Sequence, residues 1–155
     1  MPSVLVLSPV GTLRVHERDG AITAVDWAAD GPSGGDDAPG PLLAEAARQL
    51  DAYFAGTLQA FDLPLAAAGT DFQKRVWAAM CDIPYGETRT YGELADRAGG
   101  SARAVGAACG ANPLPVVVPC HRVIGRTGAG GYSGRGGLRT KAMLLDLESR
   151  KTRLL

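Results

Sequence analysis

Residues 90–125, TYGELADRAGGSARAVGAACGANPLPVVVPCHRVIG, decide how the second half of this chain folds. Thr90 and Glu93 have the spacing of a capping box, in which each side chain bonds the other residue's backbone amide at the start of a helix. Thr70 and Gln73 have the same spacing and predict a capping box at the start of an earlier helix. Gly99-Gly100 is a tight turn signal, and Ser101 can cap the helix that follows. A short helix, a glycine turn and a second helix together predict a helix-turn-helix.

The second of these helices carries mostly small side chains. Such a surface makes few side-chain contacts, but it allows another surface to come very close. The pattern alone leaves two interpretations open, namely tight packing on a neighbouring helix or close approach of a binding partner. Arg103 is the one long side chain on this helix. The small residues are Ala102, Ala104, Gly106, Ala107, Ala108 and Gly110.

The segment PVVVPCHRVIG, residues 115–125, places a cysteine beside a histidine after a β-branched run. The run predicts a buried strand that ends at Pro119. Neighbouring basic groups lower the pKa of a thiol and make it a nucleophile, so Cys120 and His121 are a candidate catalytic pair. In an extended chain successive side chains point to opposite faces, so the two would couple only through a turn or a water. A purely structural pair is the alternative.

Composition excludes several classes of site. The three cysteines are an odd number at irregular spacing, which is a poor disulfide framework, and they lack the spacing of a zinc site. Cys81 and Cys109 are expected within apolar helix faces. The 16 basic and 16 acidic residues cancel, so net charge indicates no polyanionic partner, although a local basic face would still bind one. Without a signal peptide or an apolar run of spanning length, we expect a soluble cytoplasmic protein with reduced thiols.

The first 66 residues predict a small α/β scaffold without a candidate catalytic group. Alternation over residues 3–27 indicates strands, with a hairpin turn at Asp19-Gly20. Residues 28–40 read as a loop, and Pro41 suits the first turn of a helix that Gly56 ends. The apolar stripe of that helix, at helical spacing, consists of Leu43, Ala46, Leu50, Tyr53 and Phe54. A further strand over Phe61 to Leu65 would complete a βαβ-type unit.

A wider set of motifs resembles the O6-alkylguanine-DNA alkyltransferase family. PCHRVIG is preceded by Asn112-Pro113 and followed by a Gly-Tyr-Ser-Gly stretch at 131–134, and the likeness extends over almost the whole chain. The matching segments include SPVGTL at 8–13, AYFAGTLQAFDLPL at 52–65, GTDFQKRVWAAMCDIPYGETRTYGELA at 69–95 and KAMLLDLE at 141–148.

The resemblance implies a fold and an activity. The fold is mixed α/β (α+β), with a ribonuclease-H-like α/β domain over residues 1–66. A mainly helical domain with a winged helix-turn-helix would follow over residues 67–155, the wing lying near Gly128 to Gly137. The activity is DNA repair by direct reversal, in which one alkyl group passes irreversibly from guanine O6, or from O4 of thymine, to Cys120. No cofactor and no metal are implied, and the expected partner of the monomer is double-stranded DNA.

The resemblance also implies a catalytic role for five residues. Cys120 is the nucleophile, and His121 takes its proton through a water. Glu148 orients and charge-stabilises His121; its spacing from Leu138 and Leu145 would put all three on the inward side of one helix. Tyr91 donates a proton or hydrogen bond to the guanine leaving group, and Asn112 braces the turn before the Cys120 strand.

DNA handling follows from the same resemblance. The second helix would enter the minor groove with its small surface of Ala102, Ala104, Gly106 and Ala107. Arg103 would occupy the space that the flipped-out damaged base leaves in the base stack. Tyr91 would press on the adjoining phosphate. The base pocket would be lined by Tyr132, Ser133, Pro115 and Val123.

This sequence departs from the family pattern at three points. Arg135-Gly136 look inserted, so either the pocket loop is longer or the next helix starts later. Met143 replaces a common tryptophan, which we read as a core substitution. Gly110 replaces an arginine of some members, and with zero net charge this predicts modest DNA affinity.

Three alternative functions remain. The first is a non-enzymatic lesion binder, which would carry tryptophan in place of Cys120. The others are a winged-helix regulator and a Cys-His hydrolase.

Overall fold

The computed structural model describes residues 2–28, 39–132 and 134–153, with side chains described as far as 149. It divides into two compact units, Met1–Ala68 and Gly69–Leu155. Ser133 and most of the expected loop over residues 28–40 lie outside the described residues.

The first unit is a three-stranded antiparallel sheet with one helix. Strands β1 (Ser3–Val6), β2 (Leu13–Arg18) and β3 (Ala21–Trp27) pair in that order, and helix α1 covers Pro41–Phe54. Asp19-Gly20 forms the predicted turn, with both residues at positive φ. Strand alternation buries one face of the sheet, and α1 packs its stripe against β1 and β2. The core consists of Val6, Leu13, Val15, Ile22, Val25, Leu43, Ala46, Leu50 and Tyr53.

The predicted strand over residues 61–65 is absent from this unit as described. Leu65 makes a single parallel bridge to Ile22, whose amide donates to Pro64 O over 2.8 Å. Pro64 has no amide proton, so it cannot extend the ladder. Phe61 instead packs against Tyr53, with ring centroids 5.4 Å apart. The last strand of the predicted βαβ-type unit is therefore present only as the single bridge at Leu65.

The second unit is mainly helical. Its elements are α2 (Asp71–Cys81), β4 (Arg89–Thr90), α3 (Tyr91–Ala98), α4 (Ala102–Gly110), a 3-10 turn (Cys120–Arg122), β5 (Val123–Ile124) and α5 (Leu138–Arg153). Both predicted capping boxes are present, at Thr70 and at Thr90, and Ser101 caps α4 by accepting from the Ala104 amide. Helices α2, α3 and α4 pack on one another, and the buried Trp77 Nε1 donates to Ala108 O.

Strands β4 and β5 form a short parallel pair that fixes the start of α3 beside the nucleophile segment. Arg89 pairs with Val123, and Thr90 with Ile124. Because Tyr91 follows Thr90 and Cys120 precedes Val123 by three residues, the pairing brings two candidate catalytic segments to one place.

The segment before Cys120 is not the predicted strand. It is a series of turns in which Val116 adopts φ 73°, and the Cys120 amide donates to Val118 O over 2.8 Å. Pro113, Pro115 and Pro119 remove three amide donors from seven residues, so this β-branched run cannot form a ladder. Burial of the valines, rather than strand pairing, explains the apolar composition.

Candidate active site

Asn112 holds the turn that presents Cys120. Its Nδ2 donates to Val118 O over 3.0 Å, and its Oδ1 accepts from the Leu114 amide over 2.9 Å. One side chain therefore fixes both arms of the turn. The 3-10 turn that follows, closed by the Arg122 amide on Pro119 O, places Cys120 and His121 on a curved backbone instead of on opposite faces of a strand.

A buried carboxylate joins His121 to Arg122. His121 Nε2 lies 2.7 Å from Glu148 Oε2, which also accepts from Arg122 Nη2 over 3.1 Å. Arg122 Nε donates to Glu148 Oε1 over 2.8 Å, and Nη1 donates to Ile83 O. His121 is 0% exposed and Glu148 1%. Arg122 therefore forms a buried ion pair with Glu148.

The geometry selects one tautomer of His121. A carboxylate only accepts, so Nε2 carries the proton and Nδ1 carries the lone pair. Nδ1 is buried and has no hydrogen-bond partner among the described residues. Burial lowers the pKa of His121, while the hydrogen bond and charge of Glu148 act in the opposite direction. The imidazole is therefore neutral near pH 7 and is available as a base through Nδ1.

The Cys120 thiol is 6% exposed, and its ionisation is opposed by burial. Desolvation raises the pKa of Cys120, whereas a hydrogen bond with Asn112 and the charge of Lys141 work to lower it. A thiol that is protonated at rest needs a base to become a nucleophile. The neutral His121, the next residue in the chain, is the candidate for that base.

A cavity of about 280 Å³ opens onto Cys120. Helix α4 supplies one wall and the segment before α5 supplies another. Cys109 shares this cavity, but burial raises its pKa to about 12, so it stays protonated at neutral pH. Among the described residues the lining consists of Gly106, Cys109, Gly110, Cys120, Gly131 and Tyr132.

Tyr91 is held at the start of α3 by the glycine segment. Its hydroxyl oxygen accepts from the Gly131 amide over 3.1 Å, which leaves the hydroxyl proton for another acceptor. Gly130 has φ 77°, and a Cβ there would lie 2.5 Å from the Tyr91 oxygen. Glycine is therefore required at this position by both backbone conformation and space.

The other predicted residues belong to α4, to the expected base pocket and to the loop before α5. On α4, Ala102, Arg103 and Ala107 are exposed, while Ala104 and Gly106 are half-buried. Tyr132 lines the cavity, and its predicted neighbours Pro115 and Val123 are buried but are not among the described lining residues. Ser133 lies outside the described residues. Arg135-Gly136 lie in a turn closed by the Gly137 amide on Gly134 O, directly before α5.

The buried face of α5 differs from the predicted one. Leu138 is 53% exposed and Met143 41%, so neither is a core residue, and Leu145 is only half-buried. Lys141, Leu144 and Glu148 are the buried set, at spacings of three and four residues. Cys81 is exposed at the end of α2, contrary to expectation. Hydrophobic periodicity predicted the wrong buried face of α5 because two charged side chains, Lys141 and Glu148, occupy inward positions.

Sequence reasoning missed Lys141, Cys109 and the pairing of Arg122 with Glu148. Lys141 is 0% exposed, and its Nζ donates to Val123 O, Ala129 O and Gly131 O over 2.5, 2.5 and 2.9 Å. Its signal in the sequence was its spacing of seven residues before Glu148, which puts both on one helix face.

The described part of the chain contains no cluster of three or more His, Cys, Asp or Glu that could hold a metal ion. None of its helices is long and apolar enough to cross a membrane.

A sheet unit is followed by a helical unit, in which Cys120 lines a cavity and the next residue, His121, is bonded to the buried Glu148. Two family models match the chain: the 6-O-methylguanine DNA methyltransferase ribonuclease-like domain over residues 4–67, and the DNA-binding domain of the same proteins over residues 71–150. The chain belongs to the 6-O-methylguanine DNA methyltransferase family.

Individual relatives agree with the family models. The methylated-DNA–protein-cysteine methyltransferase of Mycobacterium tuberculosis is 49% identical over 144 residues, which cover 91% of this chain and 81% of that protein. The protein of the same name from Methanosarcina barkeri is 56% identical over 112 residues, 70% of each chain. A crystal structure of the M. tuberculosis protein in complex with DNA is 43% identical, with a TM-score of 0.84, covering 97% of this chain and 94% of that one.

Proposed function

We propose that this chain repairs double-stranded DNA by moving an alkyl group from guanine O6 to the Cys120 sulfur, once per molecule. The observation that carries the proposal is the neutral His121, fixed by Glu148, beside a thiol that opens into a cavity. A DNA complex of a relative that is 43% identical supports DNA as the partner.

The chemical step begins with removal of the thiol proton. His121 Nδ1 accepts it through a bridging water, and the resulting imidazolium is stabilised by the Glu148 carboxylate. The thiolate then attacks the alkyl carbon in line with the carbon–oxygen bond, so that a carbon–sulfur bond forms as the carbon–oxygen bond breaks. The bonding electrons leave with the guanine. Because the product is a thioether, no later step regenerates the thiol.

Tyr91 is the group proposed to neutralise the leaving guanine. Its hydroxyl oxygen already accepts from the Gly131 amide, so its remaining proton is free to be donated to the departing base. Asn112 is proposed to keep the sulfur in line, since it holds both arms of the turn before Cys120.

DNA recognition is proposed to use α3 and α4 as a winged helix-turn-helix. The exposed small residues Ala102 and Ala107 allow α4 to enter the narrow minor groove, with half-buried Ala104 and Gly106 behind them. Arg103, also exposed, would occupy the stack after the damaged nucleotide flips into the cavity. Tyr91 would meet the adjoining phosphate, and Tyr132 the flipped base.

The test is intact-protein mass after incubation with a duplex containing O6-methylguanine. We expect a gain of about one methylene (roughly 14 Da) per molecule, stopping at one, and none in Cys120→Ala. The Cys109→Ala variant is the matched control, because it removes a second thiol from the same cavity. Lesion binding without a mass gain in the unaltered chain would make this a recognition protein and would refute the proposed transfer.

A further inference from the structure

Lys141 is the most completely buried cation of the site and has no assigned role so far. It lies on α5 with no exposed surface, and its Nζ contacts three backbone carbonyls of the segment between β5 and α5. Gly131, one of these acceptors, lines the cavity, and its amide donates to the Tyr91 hydroxyl. Lys141 Nζ also lies 5.9 Å from the Tyr91 ring centroid.

The contact geometry identifies the protonated form of Lys141. An ammonium group has three N–H donors, and three carbonyl acceptors surround it, whereas a neutral amine would leave one acceptor without a donor. Burial lowers the pKa of Lys141, but the nearby Cys120 and Cys109 act to raise it. A buried charge is retained when its hydrogen bonds are satisfied, as they are here.

We propose that Lys141 is a positioning residue of this site, whose ammonium group ties the cavity segment to α5 and supplies the positive charge that favours the Cys120 thiolate. The inference deepens the proposed alkyl transfer and rests on it for its biological meaning. Its physical content, a charge acting on one sulfur, is measurable without DNA.

Besides Lys141 and Cys120 themselves, titratable groups from three elements or segments belong to this site. Cys109 on α4 and Tyr132 before α5 interact electrostatically with Cys120, and both resist ionisation because they are buried. His121 on the 3-10 turn is neutral near pH 7, since burial lowers its pKa. Among the described residues that interact electrostatically with the sulfur, Lys141 is therefore the one that carries a positive charge.

Two consequences follow from this arrangement. Removing the positive charge destabilises the Cys120 thiolate relative to the thiol, so the pKa of Cys120 rises. Removing the three hydrogen bonds releases the cavity segment, so Tyr91 loses the contact with Gly131 that orients it. A side chain that only filled space would produce neither a change in thiol titration nor a change confined to the DNA reaction.

The first experiment measures the rate at which iodoacetamide modifies Cys120, by peptide mass, between pH 6 and 10. The variants are Lys141→Met, Lys141→Arg and, as matched control, the exposed Lys74→Met on α2. We expect Lys141→Met to raise the pKa of Cys120 by about one unit, which is a tenfold loss of reactive thiolate. Lys141→Arg keeps the charge but not the three-carbonyl fit, so it leaves the thiol pKa unchanged and slows transfer from O6-methylguanine DNA by about tenfold.

A second measurement avoids any change at position 141. The chain has three lysines, so the Cε resonance of Lys141 can be followed in protein labelled with ¹³C-lysine. Because the coupling is reciprocal, blocking Cys120 with iodoacetamide lowers the pKa of Lys141. Equal thiol titration in a folded Lys141→Met and in Lys74→Met overturns the inference, as does a Lys141 titration that blocking leaves unchanged. Failure of alkyl transfer in every variant, with the thiol shift present, instead contradicts the proposed function.

Discussion

Replacing Glu148 with glutamine keeps the shape of the side chain and removes one buried charge. Glu148 is 1% exposed and is the shared partner of His121 and Arg122. Without it the Arg122 guanidinium, 6% exposed, is a buried charge that has lost its carboxylate. Breaking a buried ion pair from one side costs about 3–5 kcal/mol of unfolding free energy. For a chain of this length that corresponds to a fall in Tm of about 6–20 °C.

The same substitution also reverses the histidine tautomer. Arg122 only donates, so it takes the single amide oxygen of the glutamine and turns the NH₂ group towards His121 Nε2. That nitrogen must then accept, which moves the imidazole proton to Nδ1 and removes the lone pair of the proposed base. We expect alkyl transfer to slow by about 10²–10⁴-fold, the usual contribution of a general base.

The assay pairs thermal unfolding with single-turnover transfer. Glu87→Gln is the control, since Glu87 forms an exposed ion pair with Arg89 that contributes at most about 1 kcal/mol. Equal Tm values for the two variants would show that the Glu148 network does not stabilise the unit. Normal transfer by a folded Glu148→Gln variant would show that the carboxylate does not set the tautomer of His121.

Four further predictions concern the site. The pKa of His121 lies below its usual 6.5 and that of Cys120 above its usual 9.0, so neutral imidazole and thiol coexist between these pH values and the transfer rate is flat there. In His121→Gln the rate instead rises with hydroxide; a flat profile in that variant would exclude His121 as the base. Because unfolding lets His121 take up a proton, stability falls as the pH drops below 6.5, and thermal melts of His121→Gln should show less of this fall. Gly130→Ala meets Tyr91 and a positive φ, so it lowers unfolding free energy by about 1–3 kcal/mol, whereas Gly128→Ala, with open space, stays within about 1 kcal/mol; equal denaturant midpoints would contradict this. Cys109, with a pKa of about 12, remains unmodified after reaction with lesion DNA, and an alkyl group found there by peptide mapping would disprove the assignment.

Local signals predicted the local structure well. Both capping boxes and the Ser101 cap are formed, because each depends on side chains within one turn of the helix they begin. The hairpin turn at Asp19-Gly20 is present for the same reason. The resemblance then supplied the fold of the two units, which the family models confirm.

The errors arose where a nonlocal effect overrode the pattern. The valines before Cys120 favour a strand by propensity, yet the prolines among them leave too few donors for one. The inward face of α5 was misassigned because Lys141 and Glu148 are buried by partners that come from other segments, and no periodicity of apolar residues can reveal that. The roles of the individual site residues stay predictions until they are measured.

Helix α4 has nine residues that serve two surfaces at once. Gly106, Cys109 and Gly110 border the cavity, while Ala102, Arg103 and Ala107 are exposed on the outer side. Engineering that widens the cavity for bulkier adducts therefore operates on the same short element that would meet the nucleic acid. Gly106 and Gly110 are poor positions for such a library because added bulk there would fill the cavity or alter the outer surface. Cys109 is the better position to randomise, since its side chain faces the cavity and Met80.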